Sequence, residues 1–138
     1  MPDASKQTRA DVFLTTALLG SFRSVEVFVA CASLLGAASF AIFPEAATRS
    51  LSAAVFGVGI ATLYHALRIR IDYRIFADWD KISPAELDAS LQKVNPRFRP
   101  GRTLESRLSG AHSLFTRGMQ LAGLQCVLLI GLAWAVGR

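Results

Sequence analysis

Apolar residues collect in three long blocks along the chain, and each block predicts a helix that crosses a lipid bilayer. The first, Val25 to Phe43 (VEVFVACASLLGAASFAIF), carries one charge, Glu26, close to its start. The second, Leu51 to Leu67 (LSAAVFGVGIATLYHAL), has no full charge and one titratable group, His65. The third, Met119 to Val136 (MQLAGLQCVLLIGLAWAV), is uncharged. Blocks of this length approach the roughly 20 residues a helix needs to cross about 30 Å of hydrocarbon. Pro44 and Glu45 punctuate the first junction and predict a tight turn between antiparallel spans. An earlier apolar stretch, Val12 to Phe22 (VFLTTALLGSF), is too short to span and is separated from the first block by Arg23, so it predicts an interfacial helix. Lys6 and Arg9 would suit a secretory signal, but no small-residue cleavage site precedes Arg23 and further spans follow directly.

Between the second and third blocks the helical period does not stop. LRIRIDYRIFADW keeps Ile69, Asp72, Phe76 and Trp79 on one side and predicts a helix out to about Asp80. Ser83, Pro84 and Glu86 then form a start signal: an N-cap, a proline at the first helical position and a carboxylate placed to complete a capping box. The helix so begun runs over 84–94 and ends at Asn95-Pro96. Pro100-Gly101 marks a turn, after which Thr103 caps a helix over 103–118 with Leu104, Leu108, Ala111 and Phe115 along one stripe, leading into 119–136. The predicted fold is a single membrane domain over residues 1–138. It is all-α and integral to the membrane, with three transmembrane helices (25–43, 51–67 and 119–136) and an N-terminal interfacial helix (12–22). Spans 2 and 3 extend into the cytoplasm as an antiparallel hairpin capped by a short helix.

Composition agrees with one unit: 138 residues, 52% hydrophobic and 18% charged, too short for two ordinary domains. The placement of charge says more. Of the 15 Lys and Arg residues, ten lie between Arg68 and Arg117, three precede the first span, and only Arg49 and Arg138 belong to the opposite side. An excess of cations marks the cytoplasmic side, so the N-terminus is expected in the cytoplasm and the C-terminus across a cytoplasmic (inner) membrane. In that setting the net charge of +5 serves topology and anionic lipid headgroups. The densest basic patch, RFRPGR, with Arg97, Arg99 and Arg102, predicts a contact with such lipids or a protein partner. It holds one aromatic and no nucleic-acid module, and no nucleic-acid partner is expected.

Antiparallel helices rising about 1.5 Å per residue from boundaries near Leu67 and Gly118 should bring His112 level with Asp72, and Arg107 level with Asp78. Ion pairs Asp72–His112 and Asp78–Arg107 are the expected staples of the hairpin. The same register argues against haem: His65 falls level with Gln120, displaced from His112 by about eight residues, or roughly 12 Å, too far for one iron to take both. Cys31 and Cys126 have no metal-binding spacing and are expected to be buried, reduced and used in packing. No nucleotide loop, nucleophile elbow or zinc-protease motif is present, so neither catalysis nor a cofactor or metal is predicted.

The second span carries small residues at four-residue steps, Ala53, Gly57 and Ala61, ending on His65. Such a seam lets helix backbones approach closely in lipid, where packing drives association. The first span offers Ala30, Ser33, Ala37 and Ala41, and the third Gly123, Gly131 and Ala135. Some seams must close the bundle, and a spare one would face a membrane-protein partner or a second copy. The expected function is an accessory, assembly or regulatory subunit. The alternative is an oligomeric small transporter or a redox (haem or quinone) anchor using His65 near the bilayer edge. Transport would call for polar groups at mid-span, where Gln125 is the main exception to an apolar interior.

Overall fold

The computed structural model describes residues 4–81, 83–94, 101 and 103–138. Among these there are four α-helices and no strand: α1 Ala4–Ile42, α2 Ala46–Ala77, α3 Pro84–Val94 and α4 Leu104–Val136, with a 3-10 turn at Trp79–Lys81. Helices α1, α2 and α4 hold 39, 32 and 33 residues, about 58, 48 and 50 Å at 1.5 Å per residue. All three are long and apolar enough to cross a bilayer.

Helix α1 corrects the expected break between an interfacial helix and the first span, because it runs without interruption from Ala4 to Ile42. Arg23 changes the solvation of the helix surface, not its backbone hydrogen bonding, and neither proline nor a side-chain competitor interrupts the ladder there. Ser21 turns its hydroxyl back onto Leu18 O at 2.7 Å and leaves the ladder intact. What ends α1 is Pro44: the residue before a proline is pushed out of the helical region, and α2 restarts after Glu45 in an extended conformation. Helix α2 therefore begins five residues before the apolar block that announced it.

The cap signals were legible. Ser83 Oγ accepts from Glu86 N at 3.3 Å, and Glu86 Oε2 accepts from Ser83 N at 3.1 Å and Ser83 Oγ at 2.8 Å, a closed capping box at the start of α3. Thr103 Oγ1 accepts from Ser106 N at 3.2 Å at the start of α4. Gly101, between them, has φ +82°, a conformation that favours glycine.

The bundle closes on a seam of alternating four- and three-residue steps. On α2 it is Thr48, Ser52, Val55, Gly59, Thr62, Ala66 and Ile69, all buried. On α1 it is Thr15, Leu19, Phe22, Val29, Ser33 and Gly36, and on α4 Ala111, Gly118, Gln125 and Leu132 at sevens. A seven-residue repeat is the signature of left-handed supercoiled packing. Small residues set the approach: a Cβ on Gly36 would lie 3.1 Å from Ser52 O, and one on Gly118 would lie 2.9 Å from the Phe22 ring.

Helices α1 and α4 run parallel, with α2 antiparallel to both. The expected levels hold, since Gly118 meets Ile69 and Gly59 meets Gln125. Residues 27–44, 50–67 and 118–137 form a charge-free section in register across the three helices. Residues 9–26, 68–81 and 104–117 form a charged end with its own core, in which Leu19, Phe22, Ile69 and Phe76 are joined by Leu104, Leu108, Ala111 and Phe115. The expected two-arm hairpin thus has a third arm, the first half of α1. Phe22 and Phe115 meet edge to face with ring centroids 5.8 Å apart.

Candidate functional site

Four features of this bundle bear on function: a polar knot at mid-bundle, an outer small-residue face, a clasp on α3, and a groove between α1 and α2. The knot draws on all three long helices. Gln125 of α4 is fully buried, and its Nε2 donates to Ser33 Oγ at 3.2 Å on α1, to Val29 O at 3.4 Å and to Val55 O at 3.3 Å on α2. Ser33 Oγ itself donates to Val29 O at 2.7 Å. Gly59 makes the space, because a Cβ there would fall 1.9 Å from Ser33 Oγ. Gln125 Oε1 and Ser52 Oγ are buried without a hydrogen-bond partner among the described residues. An amide with unmet capacity in an apolar setting fixes which helices meet and in what register, at some cost to stability.

The small-residue row singled out on α2 is not the one that closes the bundle. Ala53, Gly57 and Ala61 are exposed, and a Cβ on Gly57 would meet nothing within 4 Å. His65, at the end of the row, is half-buried, with Nδ1 3.0 Å from Ala61 O of its own helix and its ring edge-on to Tyr64. The inner seam steps by fours and threes while the outer row steps by fours, so the two diverge around the helix. On α1, Ser33 is buried, Ala30 is half-buried and Ala37 and Ala41 are exposed; on α4, Gly123 is open on the outside.

Both expected ion pairs are corrected. Asp78 takes Lys81 of the following turn at 2.7 Å, and this hydrogen bond, more than the attraction of the charge alone, raises the lysine's pKa above its ordinary value. Arg107 reaches Asp88 of α3 instead, with both side chains largely buried, and Asp88 Oδ2 accepts from Gly101 N at 2.7 Å. His112 is exposed and has no ion pair with Asp72. Helical rise fixes height but not direction around the axis: Ala111 takes the inward position, which turns His112 outward. The Asp88 clasp was invisible in the sequence because it depends on how α3 folds back against α4. Arg97, Arg99 and Arg102 lie outside the described residues.

Cys31 and Cys126 are free, but the expectation of burial is corrected for Cys31, which is exposed on the face of α1 opposite Val29 and Ser33; Cys126 is half-buried. Among the described residues no group of three or more His, Cys, Asp or Glu is placed to hold a metal.

The groove was not foreseen. It has a volume of about 410 Å³ and is lined by Leu19, Phe22, Arg23 and Glu26 of α1 and by Ala66, Ile69, Arg70, Tyr73 and Arg74 of α2. Arg70 Nη2 donates to both oxygens of Glu26, at 2.8 and 2.9 Å. Gly20 allows the Tyr73 ring to lie across α1, since a Cβ there would sit 3.2 Å from it. The only sequence signal was the crowding of arginines around Arg68 and Arg70, and a level for Arg23 on α1 requires knowing that α1 is unbroken. Compared with models of protein families, with curated proteins and with solved structures, the chain matches none.

Proposed function

We propose that this chain is an accessory or assembly subunit of a membrane complex, with its charge-free section in the bilayer of a cytoplasmic (inner) membrane, its N-terminus and charged end in the cytoplasm, and its C-terminus outside. The distribution of Lys and Arg supports the orientation. Arg49 over the Phe40 ring at 4.9 Å and Arg138 over the Trp134 ring at 3.3 Å suit the opposite boundary, where aromatic and basic residues anchor helices.

The observation that carries the proposal is an exposed apolar pair at the charged end of the bundle. Phe13 and Leu14 are 73% and 64% exposed, and they precede Arg23 by nine to ten residues, about 15 Å along the helix. Their level on α2 and α4 is that of Asp78, Lys81 and Glu105, which belong in water. Exposed bulky residues beyond the bilayer edge mark contact with another protein. Within the bilayer, the open row Ala53, Gly57 and Ala61 lets a helix of the same partner approach closely. The knot at Gln125 then acts as a fastening that holds this shape, not as a path for a solute.

Affinity purification of the full chain from mild detergent tests the proposal, comparing wild type with Phe13→Ser/Leu14→Ser and with Ala53→Leu/Gly57→Leu. A partner retained by wild type and depleted from both variants supports it. Identical composition in all three samples rejects it.

A further inference from the structure

We propose that the groove between α1 and α2 seats the phosphate of an anionic phospholipid. The charge of the groove is unbalanced. The groove is lined by three arginines, Arg23, Arg70 and Arg74, and one glutamate, Glu26. Arg70 already holds Glu26 through both oxygens, while Arg23 and Arg74 have no ion pair among the described residues. Two cations from different helices thus face one concavity without an anion between them, and a phosphate is the group that guanidinium geometry serves best.

Size and position select the source of the phosphate. About 410 Å³ lies in the range of small-molecule sites, roughly 300–1,000 Å³, and is more than a bare phosphate fills. Leu19, Phe22, Ala66 and Ile69 give it an apolar floor, and Tyr73 places a ring with a polar tip beside the arginines. Arg70 and Arg23 stand three and four residues from the charge-free section and Arg74 seven, about 5 to 11 Å along the helices, a depth that suits headgroups. This rests on the bilayer placement proposed above. The inference moves the lipid contact from Arg97, Arg99 and Arg102 to a formed concavity on two packed helices.

Native mass spectrometry of the full chain released from detergent tests it, with phosphatidylglycerol, phosphatidylcholine and soluble glycerol phosphate as probes. Wild type should retain one phosphatidylglycerol in preference to phosphatidylcholine, and glycerol phosphate should not displace it. Arg23→Gln/Arg74→Gln should lower retention at least fivefold, whereas Arg23→Lys/Arg74→Lys, which preserves the charge but not the guanidinium fork, should fall between that variant and wild type. Retention within twofold of wild type in the glutamine variant overturns the site. So does displacement by glycerol phosphate, which would make it a site for soluble phosphate, and so does loss confined to Arg97→Gln/Arg99→Gln/Arg102→Gln. Both arginines are exposed, and the lysine variant separates lost charge from lost fold. Incorporation of the same preparations into phosphatidylcholine vesicles, judged by resistance to alkaline extraction, distinguishes the two proposals. An extractable protein rejects the bilayer placement and the site together; an inextractable one without phosphatidylglycerol preference rejects the site alone.

Discussion

Gly59→Ala adds a single methyl group, and the structure expects it to loosen the whole bundle. The new Cβ would fall 1.9 Å from Ser33 Oγ, 2.6 Å from Gln125 Nε2 and 3.0 Å from Ser33 Cβ, distances that force both neighbours to move. Against this, alanine gains up to about 1 kcal/mol of helix propensity over glycine. Overpacking costs about 1–3 kcal/mol. Displacing Gln125 gives up three interhelical hydrogen bonds, which in membrane bundles average about 0.6 kcal/mol each, close to 2 kcal/mol together. The net is a loss of about 2–4 kcal/mol, so crowding outweighs propensity. Ser33→Ala removes the nearest atom and by itself should cost only about 0.6 kcal/mol, because Gln125 keeps Val29 O and Val55 O. The double variant Ser33→Ala/Gly59→Ala should therefore be at least about 1 kcal/mol more stable than Gly59→Ala. Reversible unfolding in mixed micelles, followed by helical circular dichroism, measures all three. A Gly59→Ala protein as stable as wild type, or strictly additive single changes, would refute the reasoning.

Gln125→Met gives up those three bonds, about 2 kcal/mol together, but removes the buried Oε1 that lacks a partner, a relief of about 1–3 kcal/mol, and strands no donor, so stability should stay within about 1 kcal/mol of wild type; the same unfolding assay decides it. Asp88→Ala removes the carboxylate that holds Arg107 and accepts from Gly101 N, so hydrogen exchange in α3 and at Gly101 should speed up by the equivalent of about 1.5–3 kcal/mol, the worth of a hydrogen bond to a charged group; the charge-free sections of α1, α2 and α4 should keep their protection. Hydrogen bonds from Ser83 to Glu86 hold that carboxyl below its ordinary 4.5. A lowered folded pKa contributes stability above 4.5 that is lost as pH falls through the folded value, so the first turn of α3 should fray only below about pH 4.5, and Glu86→Gln should abolish that dependence in exchange measurements.

Where the chain's chemistry is local, it was legible. Pro44, the Ser83 to Glu86 box and Thr103 each act within one helical turn and sit where the pattern placed them, and each of the three apolar blocks lies within one long helix. The unbroken α1 is not legible because Arg23 interrupts the hydropathy pattern, although it alters solvation and leaves the backbone ladder untouched. The closing seam is hidden for a different reason: small residues at steps of four stand out on α2, while the bundle follows the seven-residue repeat of Ser52, Val55, Gly59, Thr62 and Ala66. Register gave the heights of Asp72, Asp78, Arg107 and His112 but not their directions, and partner choice depends on direction. The groove and the clasp each need residues from two helices whose separation no local pattern encodes.

Site-specific photocrosslinking in intact cells tests the central claim, that the outer faces of this bundle bind a protein partner, most directly. A photoreactive side chain at Phe13 or at Ala61 should give a discrete protein adduct, with the same partner captured from both positions. One at Val127, which is 65% exposed on α4, should give lipid adducts only. Phe13 and Ala61 behaving like Val127 would contradict it.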